Sequence, residues 1–495
     1  MSQKAQVRDL LRDPAWQEKD VGFPLPDSSH ACVVSLPTWQ SVIGYEESDA
    51  SIVARMRAGY PRFFIHPITT RYFERVEARV ANKNERVIAY SSEQAAGRAA
   101  AYVSEQSGVT ARQLSEERSH LVVPEAGYQA ARDYWRHTGE IISSRQAEDL
   151  ISGRNTDPGL AESQRESMAR VLEVEPQDAF LLESGMAAIF TLFRIITERR
   201  PGLKTLQLCF PYVDALKVQE QFGAGVDFVN EATGEALEQA LRGIRSGRYA
   251  AVFCEVPSNP LLHTVDLGAV ADACHEGGVP LLVDDTVCSH LNIDTLAYAD
   301  AASTSLTKWV SGVGDVLAGS IRLRKDSQFA DEFREALERE VPGGSRLYHR
   351  DGDALVRNAS DFQARVTECN RNGLQVASFL ADQPEVSEVW YPAFTDREAY
   401  EAIRRPNGGF GGLISFTLKE VDKTAGLYES MQFCKGPSLG TDYTLLCPYT
   451  MLAHYREMGW ARSCGVSEAL LRFSVGREPE EVILARLESA FSALR

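Results

Sequence analysis

Between residues 160 and 325 short apolar runs alternate with amphipathic stretches, a pattern that constrains the chain to strand-helix-strand units and a wound sheet. The runs are AFLLE (179–183), TLQLCF (205–210), VDFV (226–229), YAAVFCEV (249–256), PLLVDD (280–285) and VLAGSIRL (316–323). Helix-like segments such as MAAIFTLFRIITERR and DLGAVADACHEGG lie between them. Runs this continuous suit strands buried on both faces, so the expected fold class is α/β with a mostly parallel central sheet covered by helices.

The pattern stops at a polar stretch, VPGGSRLYHRDG (341–352). One long helical segment is expected over about 353–382, then strands in VSEVWY, GGLISFTL and LLRFSVG and a closing helix in EPEEVILARLESAFSALR, as in a smaller α+β domain. Residues 1–150 are rich in aromatics and prolines and then helical in pattern. At 495 residues, about three times the ~150-residue domain prior, the chain is expected to divide into an N-terminal extension (1–150), a large domain (151–345) and a C-terminal small domain (346–495).

Charge and composition exclude several functions. Acidic residues number 69 against 52 basic ones, and a net charge of −17 repels a phosphate backbone, so nucleic acid is not an expected partner. No apolar run reaches the ~18 residues of a membrane helix, and MSQKAQVRDLLRDPAWQ is too polar for a secretory signal. A cytoplasmic enzyme is expected. Nine scattered cysteines, never spaced C-x-x-C, read as buried reduced thiols, with no metal site.

Ser305-Leu306-Thr307-Lys308 follows a strand-like AASTS and precedes Ser311-Gly312-Val313-Gly314. A lysine among hydroxyls and flexible backbone suits a Schiff-base lysine whose neighbours hold a cofactor phosphate, although most lysines are solvated surface charges. Asp284 ends the run PLLVDD, at the carboxyl edge of a strand where open α/β sheets bind ligands. A carboxylate buried there needs a cation, and a protonated pyridine nitrogen supplies one; the plain alternative is a helix cap. Alternation turns Asp285 away from Asp284. Ser184-Gly185-Met186 opens a helix after AFLLE, where free N–H groups attract a phosphate, or where a serine simply caps. Tyr212 and Asn259 stand at further strand-edge turns. Arg472, inside the apolar LLRFSVG, wants an anion: a carboxylate ligand or an internal salt bridge.

Taken in order, SGMAAI (184–189), EVPSNPLL (255–262), LLVDDT (281–286), SLTKWVSGVGDVLAG (305–319), GGFGGLISF (408–416), GPSLG (436–440) and LLRFSVG (470–476) resemble the Cys/Met-metabolism pyridoxal phosphate family, the cystathionine γ-synthase and γ-lyase group. The resemblance implies the aspartate aminotransferase-like fold, type I of the pyridoxal phosphate enzymes, and pyridoxal 5′-phosphate as cofactor. It implies that Lys308 carries the cofactor and shuttles protons and that Asp284 pairs with the ring nitrogen. Ser184, Gly185, Met186, Ser305 and Thr307 would hold the phosphate, Tyr212 would stack on the ring, and Asn259 would meet its phenolic oxygen. Arg472 and Ser438 would grip the substrate carboxylate. SHACVVSLPTWQSVIGYEE, GYPRFFIHP and GTDYTLLCPYTMLAHY are similar to the long fungal form of the synthase.

Family members carry a Tyr-x-Arg segment, lent by the neighbouring subunit, that binds the phosphate. The best match here is Ser152-Gly153-Arg154 followed by NTDP, which keeps Arg154 and lacks the tyrosine. Asp285 replaces a common asparagine, and Thr441-Asp442 follow SLG where many members have Gly-Val-Glu. The implied activity is γ-replacement on an amino acid with a Cγ leaving group, first of all an O-acylhomoserine with cysteine, in a homodimer or homotetramer with shared sites. γ-Elimination, or a sulfonium donor such as S-adenosylmethionine with a non-sulfur nucleophile, runs on the same residues. A serine hydrolase built on Gly436-Pro-Ser438-Leu-Gly440 is the reading outside this class; it needs a helix after Ser438, and TDYTLLCPY lacks that pattern. Ser305-x-x-Lys308 also fits an acyl-serine pattern, but its companion motifs are missing.

Overall fold

A computed structural model describes residues 7–154 and 159–495. Seven strands form its large sheet in the order Ala179–Leu182, Gly319–Leu323, Ala301–Ser305, Leu281–Asp284, Val252–Glu255, Thr205–Leu208 and Val226–Val229. All run parallel except Gly319–Leu323, which is antiparallel to both neighbours. Alternate side chains divide between two cores: Phe180, Leu182, Phe253 and Leu282 enter one, and Leu181, Val252, Cys254, Leu281 and Val283 the other. Helix Gly185–Arg199 covers the first face, and helices Gly234–Arg245 and Leu267–Gly277 cover the second. Double coverage explains why the runs are apolar throughout.

Asp285 follows the strand Leu281–Asp284 and is fully buried. It accepts from Thr304 Oγ1 at 2.6 Å and Thr295 Oγ1 at 2.9 Å and pairs with Arg322 Nη2. Thr304 and Arg322 sit on the next two strands, so this carboxylate ties three strands together beneath the sheet edge.

The C-terminal sheet has five strands, in the order Val386–Trp390, Leu413–Leu418, Leu471–Ser474, Leu445–Pro448 and Cys434–Lys435. The last two were not expected: Cys434–Lys435 has two residues and precedes GPSLG, and Leu445–Pro448 lies within GTDYTLLCPY (440–449). The single helix expected over about 353–382 is two, His349–Asn358 and Phe362–Ala381. Arg365 Nη2 captures the Asn358 carbonyl at 2.9 Å, and Asn358 Nδ2 reaches Asp315 Oδ1 at 2.8 Å, which holds the break.

The first 150 residues pack in two places. Helices Pro67–Val80, Glu93–Ser107 and Glu125–Thr138 and an antiparallel sheet (Glu85–Ala89, His120–Pro124, Arg112–Gln113) share a core with helix Gly185–Arg199. Val21, Val34, Leu36, Val42 and Met56 instead join the core of the C-terminal sheet. Leu36 N donates to Lys435 O at 2.8 Å, and the Tyr428 hydroxyl donates to Leu36 O at 2.6 Å. All nine cysteines are free and buried. Among the described residues no helix is long and apolar enough to cross a membrane.

Replacing Arg322 with methionine leaves Asp285 buried without a cation. Arg322→Met is expected to cost about 3–5 kcal/mol of stability, read as a lower urea midpoint. A loss below about 1 kcal/mol would show that the pair does not hold the sheet.

Candidate functional site

The carboxyl ends of the parallel strands open into a cleft of about 1010 Å³, its open mouth included. Loop residues after those strands, the Ser438 loop, Arg472 and part of segment 45–63 line it. Of the residues singled out in the sequence, Lys308, Asp284, Tyr212, Gly185, Met186, Asn259, Ser305, Arg472 and Ser438 all face this cleft.

Ser184, Gly185 and Met186 come from the start of helix Gly185–Arg199. The Ser184 hydroxyl accepts from Ala187 N at 3.0 Å and donates to Gly139 O at 2.9 Å, so Ser184 caps the helix and does not line the cleft. Gly185 touches the strand that leads to the lysine: a Cβ here would lie 2.7 Å from Ser305 Cβ. Thr307 is buried, and its Oγ1 accepts from Ala318 N at 3.0 Å, pinning the lysine loop from below.

Lys308 Nζ donates to Ser438 Oγ at 2.8 Å and lies 4.4 Å from the centre of the Tyr60 ring. Burial, with the cations Arg472 and Arg62 nearby, lowers its ammonium to about 7. Ser438 itself has φ 122°, a left-handed conformation that costs a non-glycine residue strain and that the surrounding contacts sustain. Gly440 has φ 74°, and a Cβ there would come within 2.6 Å of Trp309 N, so only glycine lets this loop close on the lysine. The strand Leu445–Pro448, and no helix, is the element that follows, which removes the hydrolase elbow.

Arg472 is buried and extends one nitrogen to Asn259 Oδ1 (2.8 Å) and another to Ser438 O (2.9 Å), with its Cζ 4.8 Å from the centre of the Tyr449 ring. It makes no ion pair among the described residues. Asp284 accepts from Thr286 N at 2.9 Å and likewise has no cationic partner among the described residues. Burial pushes its carboxyl up to about 6, helped by Asp285.

Several cleft residues were given no role in the sequence reading. Glu255 pairs in register with Asp284 on the next strand, accepts from Tyr212 N at 2.7 Å, and is pushed well up by burial and by Asp284. The strand-edge argument used for Asp284 applies equally to Glu255, the last residue of its strand. Tyr45, Glu46, Tyr60 and Arg62 come from the N-terminal segment; Tyr60-Pro61-Arg62 is itself a Tyr-x-Arg, with the tyrosine that the Arg154 segment lacks, and that spacing is the signal that points to it. Arg154 is not in its own chain's cleft: it is 57% exposed and pairs with Asp149 at 2.5 Å and Glu148 at 3.4 Å. The NTDP segment after it (155–158) lies outside the described residues.

The model of the family described as Cys/Met metabolism PLP-dependent enzyme matches residues 83–492. A cystathionine gamma-synthase of Neurospora crassa is 28% identical over 602 residues, covering 94% of this chain and 97% of its own. An L-2-amino-4-chloropent-4-enoate dechlorinase/desaturase of Streptantibioticus cattleyicolor is 31% identical, with coverage of 94% and 97%. In the fold, the chain is similar to the cystathionine gamma synthase of Xanthomonas oryzae, with a TM-score of 0.59 and 22% identity over 68% of this chain and 86% of that one.

Proposed function

Because the chain belongs to the Cys/Met metabolism PLP-dependent enzymes, we propose that the cleft carries out γ-replacement on an amino acid with a leaving group on Cγ, the first candidate being an O-acylhomoserine with cysteine as nucleophile. The observation that carries this reading is the meeting of Lys308 and Arg472 on one residue, Ser438: the lysine donates to its hydroxyl and the arginine to its carbonyl. A substrate carboxylate taken by the Arg472 fork brings its Cα and Cβ hydrogens to the Lys308 amine.

The residues fit pyridoxal 5′-phosphate. Asp284 is a carboxylate in want of a cation, the Gly185–Ser305 approach forms a narrow cradle at a helix start, and the Tyr212 ring borders the space between them. When bound, the cofactor supplies an electron sink for charge developing at substrate carbons. Gly185 and Met186 N–H groups and the Ser305 hydroxyl would hold its phosphate, with Ser184 and Thr307 shaping the two loops that do so. Asp284 would keep a proton on the ring nitrogen, and a positive ring would in turn draw the Asp284 carboxyl down from about 6. Asn259 spends its carbonyl on Arg472 and so has its amide hydrogens free for the phenolic oxygen.

An amine lowered to about 7 is substantially neutral at pH 7 and can remove a proton from Cα and move one at Cβ. Ser438 Oγ steadies the amine between these positions. Departure of the γ-group leaves an electrophilic carbon chain for the nucleophile. Elimination without replacement is a second reading, favoured by the 31% identity to a dechlorinase/desaturase. Asp442, next after Thr441 in the loop beyond Ser438, is drawn to Arg365 at 2.7 Å and does not line the cleft, so that loop offers the nucleophile no carboxylate.

Nine reduced thiols suit a reducing compartment, and we assign the enzyme to the cytoplasm on that ground. We also assign it a homodimer or homotetramer in which Arg154, exposed outside its own cleft, reaches the phosphate site of a partner copy.

Purified protein incubated with several γ-substituted amino acids, with and without cysteine, is expected to yield a thioether product by mass spectrometry with at least one O-acylhomoserine. Release of a keto acid whether or not cysteine is present, with no thioether, would replace this reading by elimination. For the shared site, mixtures of Arg154→Ala and Lys308→Ala protein should regain activity as subunits exchange. Exchange without recovery would remove Arg154 from the site.

A further inference from the structure

Glu255 and Asp284 end adjacent parallel strands and pair in register, so both carboxyls leave the sheet on the same side. Both line the cleft, and both line a second cavity beside it of about 340 Å³, open space included. The wall of that cavity also holds Gln207, Cys254 and Ser303 and contains no lysine, arginine or histidine. Each carboxyl accepts one backbone N–H, Glu255 from Tyr212 at 2.7 Å and Asp284 from Thr286 at 2.9 Å, and neither makes an ion pair among the described residues. The titratable groups around Glu255 are Asp284, the Cys254 thiol, the Tyr449 phenol and Arg472. Arg472 is the cation among them, and its guanidinium is turned to Asn259 Oδ1 and the Ser438 carbonyl.

Two carboxyls side by side, withdrawn from water and without a paired cation, do not both stay ionised. Glu255 is the deeper of the two, 6% exposed, while Asp284 is half-buried at the cleft. A pyridinium at Asp284 brings one positive charge, which balances one carboxylate. We propose that Glu255 is a positioning residue that holds a proton at neutral pH, so that the pair bears a single negative charge, placed on Asp284. The proposal rests on the reading of this cleft as the pyridoxal phosphate site. Burial and the neighbouring Asp284 push the Glu255 carboxyl well above its usual range, whereas Asp284 rises only to about 6, so the proton stays on Glu255 while Asp284 ionises. A neutral Glu255 keeps its carbonyl oxygen for Tyr212 N and gains a hydroxyl that can donate.

The test uses full-length protein carrying carbon-13 in its glutamate carboxyls. Infrared spectra at neutral pH, taken after cofactor removal with hydroxylamine and again with pyridoxal phosphate restored, should show a protonated-carboxyl stretch in both states. The label should shift that band, and Glu255→Gln should delete it. Pyridoxal phosphate affinity supplies the second readout. Glu255→Leu deprives Tyr212 N of its acceptor and should weaken binding about tenfold or more, and Glu255→Gln, a neutral isostere, should restore it to within about threefold of the parent. No Glu255-dependent protonated band, or a folded Glu255→Gln that binds as poorly as Glu255→Leu, overturns the proposal. If Glu255→Gln does not fold, Glu255→Asp decides by the spectrum: one protonated band should leave the glutamate label, and an unchanged glutamate spectrum overturns the proposal. The band of the cofactor-free protein involves neither cofactor nor substrate. A parent that fails to bind pyridoxal phosphate therefore sinks the reading of the cleft, and the band still decides where the proton lies.

Discussion

Asp285, buried and paired with Arg322, anchors the strands whose ends carry Asp284, Ser305 and Lys308. Because successive residues on an extended chain point to opposite sides, holding Asp285 inside turns Asp284 out into the cleft. One carboxylate is neutralised by an arginine and two threonine hydroxyls and holds the sheet together. Its neighbour is left without a cation among the described residues, at the edge that opens into the cleft. The site is therefore a by-product of how the sheet edge is fastened, and its position follows from strand geometry.

Charge is divided across the cleft. Arg472 and Arg62 flank Lys308, while Asp284 and Glu255 sit side by side on adjacent strands. Enclosure strengthens both effects: the lysine is lowered and the carboxyls are raised. A zwitterionic substrate and a cofactor with a basic ring nitrogen and an anionic phosphate match this division. The N-terminal segment contributes to it directly, since Tyr60 and Arg62 come from a stretch that also packs against the C-terminal sheet through residues such as Leu36 and Met56.

The large sheet was legible because each strand is buried on two faces and so shows as a continuous apolar run; Lys308 and Asp284 stood out by their place at strand ends and Arg472 as a charge inside an apolar strand, and their roles came from the family resemblance. Less visible were elements whose reason lies far away in sequence. The break at Ala359–Asp361 depends on Arg365 and on Asp315, and no local pattern carries it. The strand Cys434–Lys435 has only two residues, and Leu445–Pro448 ends on a proline inside a stretch rich in turn residues. Ser184 and Thr307 have the right residue types at the right loops, but their hydroxyls are already engaged by backbone partners. Arg62 meets Tyr212 across 150 residues of chain, and its sign in the sequence is the Tyr60-Pro61-Arg62 spacing, which the match at Arg154 displaced.

The account depends on Lys308 being the amine that holds the cofactor. A second buried lysine makes the test discriminating: Lys435 is also lowered to about 7, but its Nζ points to the carbonyls of Glu429 and Pro37, outside the cleft. Borohydride reduction of purified protein loaded with pyridoxal phosphate, followed by peptide mapping, should place the fixed cofactor on the peptide that carries Lys308. A label on Lys435 or any other lysine, or no label at all, would contradict the central claim.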